Sequence, residues 1–306
     1  MFNGWHQVAF AREVGDEVTP VWIGNLPLAL VRTPAGVAAF DAVCPHRGAN
    51  LAYGGKLEGA AIVCPFHGHR IALGMDGTSW RYSVRGYRTL EVGGSIFVLL
   101  AEEHEKGLTA FLEGLAKTHV FVPGFALDAH VPPQYVIENA FDADHFRVVH
   151  GLERTPRLHL ERGERGEMLV EGVFETIGAT PWHGPDGTPP TGGPARSRFC
   201  AHVFSPTLVA SELGDAGRAH VVITSATPTP DETTTIRLSL AVHSTGDEAA
   251  DAEVARALLF GSRTAFEQDM DVWEHLITDA TPNFSPGDAL VVQYHEFCRT
   301  FADGRA

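Results

Sequence analysis

The chain has 306 residues, of which 44% are hydrophobic and 20% are charged, the composition of a globular protein with two modest domains or one large one. No apolar run approaches the roughly 18 residues that a membrane span requires, and residues 1–5 show no basic or apolar region of a signal peptide. A net charge of −15 disfavours nucleic acid as a partner. We therefore expect a cytoplasmic protein with no membrane span.

The first third of the chain predicts a small all-β domain over residues 1–103. Short apolar runs alternate there with glycine-rich turns, a pattern typical of antiparallel strands. The predicted strands are residues 21–32, 37–42, 87–92 and 95–101. Residues 104–133 are interpreted as a connector with a short helical piece.

Two cysteine–histidine pairs lie within this predicted β domain. Cys44 and His46 form a C-x-H pair, and Cys64 and His67 form a C-x2-H pair after the seventeen residues 47–63. Two thiolates and two imidazoles on two loops fit a Rieske [2Fe–2S] cluster, in which the cysteines hold one iron and the histidines hold the other. The pattern therefore indicates a protein that transfers single electrons.

A zinc site and a disulfide are weaker interpretations of these residues. A structural zinc site also uses two cysteines and two histidines, but it usually opens with C-x2-C and closes with H-x3-H. A Cys44–Cys64 disulfide is disfavoured, because the chain has only four cysteines and no secretory segment. The remaining two cysteines, Cys200 and Cys298, match no ligand pattern and are expected to be small buried residues.

The residues around each pair resemble the Rieske family. The stretches are C-P-H-R-G at residues 44–48 and C-P-F-H-G at residues 64–68. The additional cysteines and hydroxyl side chains of the respiratory Rieske proteins are absent, which resembles the low-potential ferredoxins and oxygenases. One departure is His69, where the oxygenases usually have Trp; we favour a packing role over that of a titratable neighbour of the cluster.

The second half predicts an α+β domain over residues 134–306. It begins with a predicted strand at 134–138 and a helix-like stretch at 139–151. The later strands are predicted at residues 168–177, 198–213, 219–226 and 233–243, and a long helix at 251–279. Several antiparallel strands before one long helix favour a helix packed across a curved sheet, with a pocket between them. Residues 181–198 are a loop by composition, a surface insertion or a lid, and we favour the insertion.

A second metal site is suggested by Asp142, His145 and His150. His145 and His150 are about 140° apart on an ideal helix, so they converge only if the helix is distorted or ends near Gly151. Alone the pattern is weak, because either histidine could be an ordinary core residue. With an electron-delivering cluster in the same chain, two histidines and one carboxylate match the facial triad of non-heme Fe(II) oxygenases.

The long predicted helix supplies the candidate carboxylate. Asp269 falls on an apolar stripe, whereas Asp271 and Glu274 lie off it. The stripe consists of Phe266, Met270, Trp273 and Ile277. An unpaired buried carboxylate is costly, and a bound cation would offset that cost. The alternative is an ion pair between Asp269 and an arginine or histidine.

Taken whole, the chain resembles the large (α) subunit of a Rieske non-heme iron oxygenase. The resemblance implies an N-terminal all-β Rieske domain followed by a C-terminal helix-grip catalytic domain. It also implies that His145, His150 and Asp269 ligate a mononuclear Fe(II), with Asn139 close to the iron. Asp142 would instead bridge to a cluster ligand of a neighbouring subunit in a ring, typically a homotrimer.

For the cluster, the resemblance implies that Cys44, His46, Cys64 and His67 are the ligands and that His67 is the one facing Asp142. The stretches at residues 145–151 and 267–273 are most similar to the steroid-oxidising branch, with 3-ketosteroid 9α-hydroxylase and cholesterol 7-desaturase. The predicted function is a terminal oxygenase component that monooxygenates a hydrophobic, ring-containing substrate with O2. Its electrons would come from NAD(P)H through a flavin/iron–sulfur reductase, with or without a ferredoxin.

Other reactions use the same metals, so desaturation, dealkylation, dihydroxylation and amine oxygenation of a small aromatic or natural product stay open. A Rieske electron carrier with a binding domain would need only the four cluster ligands, and His145, His150 and Asp269 argue against it. A substrate-sensing regulator is disfavoured, because the sequence shows no DNA-reading motif and no basic patch.

Overall fold

The N-terminal part of the chain folds into two β-sheets. The computed structural model describes residues 2–74, 81–176, 195–214 and 218–302, and the structural statements below concern these residues. The strands are β1 (Trp5–Phe10), β2 (Thr19–Ile23), β3 (Leu26–Thr33), β4 (Gly36–Asp41), β5 (Lys56–Glu58), β6 (Ala61–Val63), β7 (Arg70–Leu73), β8 (Ser83–Val84), β9 (Gly86–Val92) and β10 (Ser95–Leu99). One sheet has the order β1-β10-β9-β4-β3-β2 and the other has the order β5-β6-β7-β8.

The hydrophobic pattern explains why these strands form. The whole of β10, Ser-Ile-Phe-Val-Leu, is buried between β1 and β9 because apolar residues occupy both of its faces. The predicted all-β fold is confirmed, but the single strand predicted at residues 21–32 is a hairpin of β2 and β3, with a tight turn at residues 24–25 between them. Strand β1 was not predicted, although its Trp5 is fully buried.

The second part is a seven-stranded sheet with a long helix across one face. Its elements are α1 (Leu108–Leu115), β11 (His119–Ala129), α2 (Pro133–Glu138), α3 (Ala143–Val148), β12 (His159–Arg162), β13 (Met168–Thr176), β14 (Ala195–Ser205), β15 (Leu208–Leu213), β16 (His220–Pro228), β17 (Thr234–His243), α4 (Glu248–Trp273) and α5 (Ala289–Arg299). The strand order is β11-β17-β16-β15-β14-β13-β12, all antiparallel. The predicted α+β architecture is confirmed.

Several predicted elements differ from the structure. Residues 134–138 are helical in α2 rather than a strand, because Pro133 at the first helical position sets φ for a helix despite the β-branched run that follows. Strand β11 lies inside the stretch interpreted as a connector and pairs with β17. Helix α4 ends at Trp273, so Ile277 lies beyond it and is exposed. Of the predicted loop 181–198, residues 181–194 lie outside the described residues.

A layer of polar groups joins the N-terminal part to the seven-stranded sheet. Strand β1 packs on the sheet face opposite α4, where the backbone N–H of Gln7 donates to Ser225 Oγ at 3.1 Å. Thr227 Oγ1 donates to the Gln7 carbonyl at 2.9 Å, and Ser95 Oγ lies 2.9 Å from Ser239 Oγ. Buried hydroxyl groups satisfied in this way fix the register between the two parts. No described helix is both long and apolar enough to cross a bilayer.

Candidate metal centres

The two cysteine–histidine loops share the same backbone hydrogen-bond pattern. The N–H of Gly48 donates to the Cys44 carbonyl at 2.9 Å, and the N–H of Gly68 donates to the Cys64 carbonyl at 3.0 Å. Both glycines have positive φ, 72° and 68°, a conformation that residues with a Cβ rarely adopt. Each loop therefore turns tightly enough to present a thiol and an imidazole on the same side.

The loops meet so that their four side chains come together. Cys44 and Cys64 are each 2% exposed and are free thiols in contact with each other. The imidazole rings of His46 and His67 lie 4.8 Å apart, centre to centre. The buried Nδ1 of His46 has no hydrogen-bond partner among the described residues. An orphaned buried nitrogen beside a second imidazole fits a metal ligand, because such a nitrogen otherwise costs free energy.

Backbone N–H groups of both loops point at the sulfurs. Burial raises the pKa of the Cys44 thiol, although the N–H of His46 opposes it. Burial also acts on Cys64, but the N–H groups of Phe66 and His67 outweigh it and lower the pKa of that thiol. N–H groups that stabilise negative sulfur are what a thiolate-bound iron–sulfur cluster requires. The site therefore fits the [2Fe–2S] cluster.

His69 packs beside the cluster loops. Its ring centre lies 4.4 Å from that of His46 and 5.1 Å from that of Tyr82. Its carbonyl accepts the N–H of Cys64 at 2.8 Å. His69 therefore lies in contact with a cluster residue, and its packing role stays a prediction.

The second group consists of His145, His150 and Asp269. Helix α3 and the turn after it bring the two histidines together, with the Nε2 atoms 2.9 Å apart. Asp269 on α4 places Oδ1 3.7 Å from His145 Nε2 and 3.5 Å from His150 Nε2. Ligand atoms on one metal ion lie up to about 4 Å apart. The three residues are also the one group of three or more potential ligands that converges in this way among the described residues.

The tautomers of both histidines follow from their other ring nitrogens. His145 Nδ1 lies 3.1 Å from the Asp142 carbonyl, which can only accept a hydrogen bond. His150 Nδ1 lies 3.0 Å from Gln268 Oε1, also an acceptor. Both Nδ1 atoms therefore carry the proton, and both Nε2 lone pairs face the same point. Two lone pairs at 2.9 Å repel each other unless a cation lies between them, so the geometry fits a metal ion.

Burial favours the neutral form of each of these groups. Burial, with neighbouring His150, lowers the pKa of His145 to about 4, and burial lowers the pKa of His150. Burial raises the pKa of Asp269 to about 7, opposed by a hydrogen bond from Asn139. A charged Asp–His pair is therefore disfavoured at this site. A divalent cation would supply the positive charge that favours the ionised carboxylate.

Asp142 serves a local role in this structure. Its Oδ1 accepts the N–H groups of Asp144 and His145 at 3.0 and 3.1 Å, which caps the N-terminus of α3. Its backbone carbonyl, not its carboxylate, accepts from the His145 ring. The carboxylate is partly exposed and lines a surface concavity that also reaches His145 and Asp269. Asn139, the other residue expected near the iron, hydrogen bonds Asp269.

The three ligand candidates lie at one end of an apolar cavity between the sheet and α4. The cavity, including its open mouth, holds about 830 Å³. Its apolar walls include Phe146, Phe174, Phe199, Phe266 and Trp273.

One functional residue, Gln268, was not predicted from the sequence. Gln268 orients His150, and its only sequence signal is its position next to Asp269. By contrast, the small buried character expected for Cys200 and Cys298 is confirmed.

Comparison with known families gives two matches that together span most of the chain. Residues 4–82 match the Rieske [2Fe-2S] domain. Residues 110–301 match the 3-ketosteroid 9α-hydroxylase C-terminal domain, which is more than half of the chain. The first match contains all four cluster residues, and the second contains His145, His150 and Asp269.

Two related proteins illustrate the similarity. Cholesterol 7-desaturase nvd of Bombyx mori is 31% identical over 194 residues, which cover 59% of this chain and 41% of that protein. The probable 3-ketosteroid-9-alpha-monooxygenase, oxygenase component, of Rhodococcus rhodochrous is 23% identical over 333 residues, covering 98% of this chain and 79% of that one. The chain therefore spans less than half of the Bombyx protein but most of the Rhodococcus one.

Solved structures share the fold. NdmA of Pseudomonas putida CBB5, crystallised with caffeine, superposes with a TM-score of 0.71 at 18% identity, covering 97% of this chain and 90% of that one. Dicamba monooxygenase bound to dicamba gives 0.64 at 16% identity, covering 98% and 96%. With the cluster loops, the His–His–Asp group and both family matches in one chain, the protein belongs to the Rieske non-heme iron oxygenase large subunits, in the group that carries the 3-ketosteroid 9α-hydroxylase C-terminal domain.

Proposed function

We propose that the protein is the terminal oxygenase component of a Rieske system that monooxygenates a hydrophobic, steroid-like substrate. The observation that carries the proposal is the convergence of His145, His150 and Asp269 at one end of an apolar cavity, in a chain with Rieske cluster loops. When bound, the cluster supplies single electrons and the mononuclear iron supplies O2 activation.

The protein's own residues hold and orient these centres. Cys44, His46, Cys64 and His67 would hold the cluster, and His145, His150 and Asp269 would hold the iron. The Asp142 carbonyl and the Gln268 side chain fix both imidazoles with Nε2 toward the metal. Orientation of this kind keeps the ligand atoms in place through repeated turnovers.

The cavity supports an apolar substrate. Aromatic and aliphatic side chains form most of its lining, which favours a ligand with apolar surface. The names of the two relatives, a cholesterol desaturase and a ketosteroid monooxygenase, support a steroid-like ring system. Desaturation is the second candidate, because the Bombyx relative is named for it.

We also propose that electrons pass between subunits of a ring, typically a trimer. Strand β1 of the Rieske part packs on one face of the seven-stranded sheet, whereas the iron site lies on the face covered by α4. This arrangement supports a separation of the two centres within one chain. Asp142 would connect His145 to His67 of a neighbouring subunit through the concavity that it lines.

Exposed apolar side chains accompany both ends of this proposed contact. Phe66, at the cluster loops, is 60% exposed, and Val148, beside the Asp142 concavity, is 66% exposed. Contacts between subunits would remove such surface from water. Electrons would reach the cluster from NAD(P)H through a flavin/iron–sulfur reductase, with or without a ferredoxin, in the cytoplasm.

The test is turnover of the iron-loaded protein with NADH, O2 and a surrogate reductase. Ketosteroids and sterols are compared with small aromatic compounds and arylamines, and products are identified by mass spectrometry. We expect a hydroxylated steroid. A desaturated steroid would favour the second candidate, and oxidation of small aromatics alone would contradict the steroid-like substrate.

Asp269→Ala tests the iron site directly. We expect it to lose mononuclear iron and all product while keeping the visible spectrum of the cluster, because a ligand is removed far from the cluster loops. Asp271→Ala is the matched control, since Asp271 is an exposed carboxylate on the same helix. Full oxygenation by Asp269→Ala would show that Asp269 is not a ligand.

A further inference from the structure

Ser262 is a buried hydroxyl residue of α4 for which the structure offers no partner. The side chain is 2% exposed, and its Oγ makes no hydrogen bond with any described residue. A helical serine or threonine usually satisfies its hydroxyl by bonding the carbonyl four residues earlier. Thr264 does so, donating to the Phe260 carbonyl at 3.2 Å. Ser262 does not, although it lies on the same helix.

The unpartnered hydroxyl lines the apolar cavity. Two further hydroxyl residues line the same cavity from the facing strands, Ser211 on β15 and Thr224 on β16. Ser211 lies opposite Val222 and Thr224 lies opposite Val209, so the two are diagonal neighbours on one sheet face. A buried donor without a partner costs free energy, and a ligand that completes its hydrogen bond recovers that cost.

The position of Ser262 relative to the iron site follows from helix geometry. Ser262 and Asp269 are seven residues apart, so they lie on the same face of α4 and about 10 Å apart along its axis. Both line the cavity. A substrate that reaches both must be elongated, with its polar atom distant from its reacting carbon.

The charge of the cavity limits what that polar atom can be. Among the described residues that line the cavity there is no lysine or arginine. A carboxylate or phosphate would therefore be buried without a counter-charge, which is costly. A serine hydroxyl can donate to a carbonyl or accept from an alcohol, and both are neutral.

We propose that Ser262, with Ser211 and Thr224 across the cavity, forms a polar subsite that binds one hydroxyl or carbonyl oxygen of an otherwise apolar substrate. The subsite determines specificity by setting which carbon lies at the iron site. This inference rests on the proposed function, since it describes the substrate of the same cavity.

The test measures equilibrium binding to the purified, iron-loaded full-length protein by dialysis. The probes are the hydrocarbon 5α-androstane and two ketones, 5α-androstan-3-one and 5α-androstan-17-one, which carry the oxygen at opposite ends of the same ring system. We expect at least one ketone to bind more tightly than the hydrocarbon. Ser262→Ala should weaken ketone binding about three- to ten-fold and leave the hydrocarbon unchanged, because one hydrogen bond is lost.

Two variants make the result specific. Ser262→Thr keeps a hydroxyl and should keep the preference for the ketone, whereas Thr264→Ala, the matched control, should bind all three probes as the wild type does. Equal binding of ketones and hydrocarbon by the wild type, or an unchanged preference in Ser262→Ala, would overturn the subsite and leave the proposed oxygenase intact. Failure of the wild type to bind any of the three would overturn the steroid-like substrate, and the subsite with it.

Discussion

At the scale of single residues, Gln268 shows how one side chain can orient a neighbouring candidate metal ligand. Its Oε1 accepts the Nδ1 proton of His150 and thereby turns Nε2 toward His145 and Asp269. Without an acceptor there, the imidazole could rotate or take the other tautomer. The lone pair would then no longer face the metal.

Gln268→Ala should therefore weaken iron binding about 10- to 100-fold, as expected when an outer hydrogen-bond partner of a metal ligand is lost. The measurement is iron content after dialysis against graded ferrous concentrations, with the cluster spectrum as an internal reference. Glu267→Ala is the matched control, because Glu267 is exposed and pairs with Arg263. Iron binding as tight as in the wild type would refute the orienting role.

Local motifs explain why the cluster residues could be predicted and others could not. Cys44 and Cys64 each lie within three residues of a histidine, so the sequence alone indicates their chemistry. Asp269 is distant from His145 in the sequence, but it could be predicted because it is a charged residue on an apolar stripe. The sequence gives no comparable signal for Ser262, because serine is common in helices. Only the fold shows that its hydroxyl lacks a partner among the described residues.

At the scale of secondary structure, α3 couples helix capping to the iron site. Asp142 caps the helix with its carboxylate and holds the His145 ring with its carbonyl. A change at this position can therefore act on folding, on iron binding or on electron transfer. Asparagine is as good an N-cap as aspartate but carries no charge. An asparagine at this position therefore removes the negative charge and keeps the cap.

We expect Asp142→Asn to keep both metal centres and the stability of α3 but to abolish multiple turnovers, because the charged bridge to the neighbouring subunit is lost. Asp142→Ala should in addition lose about 1 kcal/mol of stability with the cap. Metal content, thermal unfolding and product per enzyme are measured for both variants. Normal multiple turnover by Asp142→Asn would rule out the bridge.

Two elements show where reasoning from pattern is limited. The run Tyr135-Val136-Ile137 favours a strand by propensity, but Pro133 and the packing of Val136 and Ile137 in the core make it helical. Strand β11 lies in a stretch interpreted as a connector. It could not be predicted locally, because its pairing with β17 is a contact between distant parts of the chain. Such contacts are set by the fold rather than by local sequence.

At the scale of the whole molecule, β1 of the Rieske part packs on one face of the seven-stranded sheet, and the candidate iron ligands lie in the cavity beside α4. If electrons pass between subunits, each iron site depends on the cluster of a neighbour. A chain with a damaged cluster and a chain with a damaged iron site should then complement each other within one assembly.

Co-expression of His67→Ala and Asp269→Ala chains with different affinity tags isolates the mixed assemblies. We expect about a third of wild-type turnover from a mixed trimer, because one junction in three then joins an intact cluster to an intact iron site. Assemblies of either variant alone should be inactive. Inactive mixed assemblies with both metals present would indicate transfer within a chain, and the mass of the wild-type assembly by light scattering gives the number of subunits.

Dissolved salt screens charges but has little effect on hydrogen bonds between neutral groups. The junction between β1 and the sheet includes such bonds, among them those of Gln7 with Ser225 and of Ser95 with Ser239, and one charged donor, Arg237, which donates to the Gln7 carbonyl at 3.3 Å and is partly buried. Ionic strength should therefore affect the alignment of the two halves of the chain less than it affects the approach of a charged redox partner to a chain with a net charge of −15. A turnover that depends on salt would then report on charged contacts between chains, which are the encounter with the electron donor and the proposed Asp142 bridge.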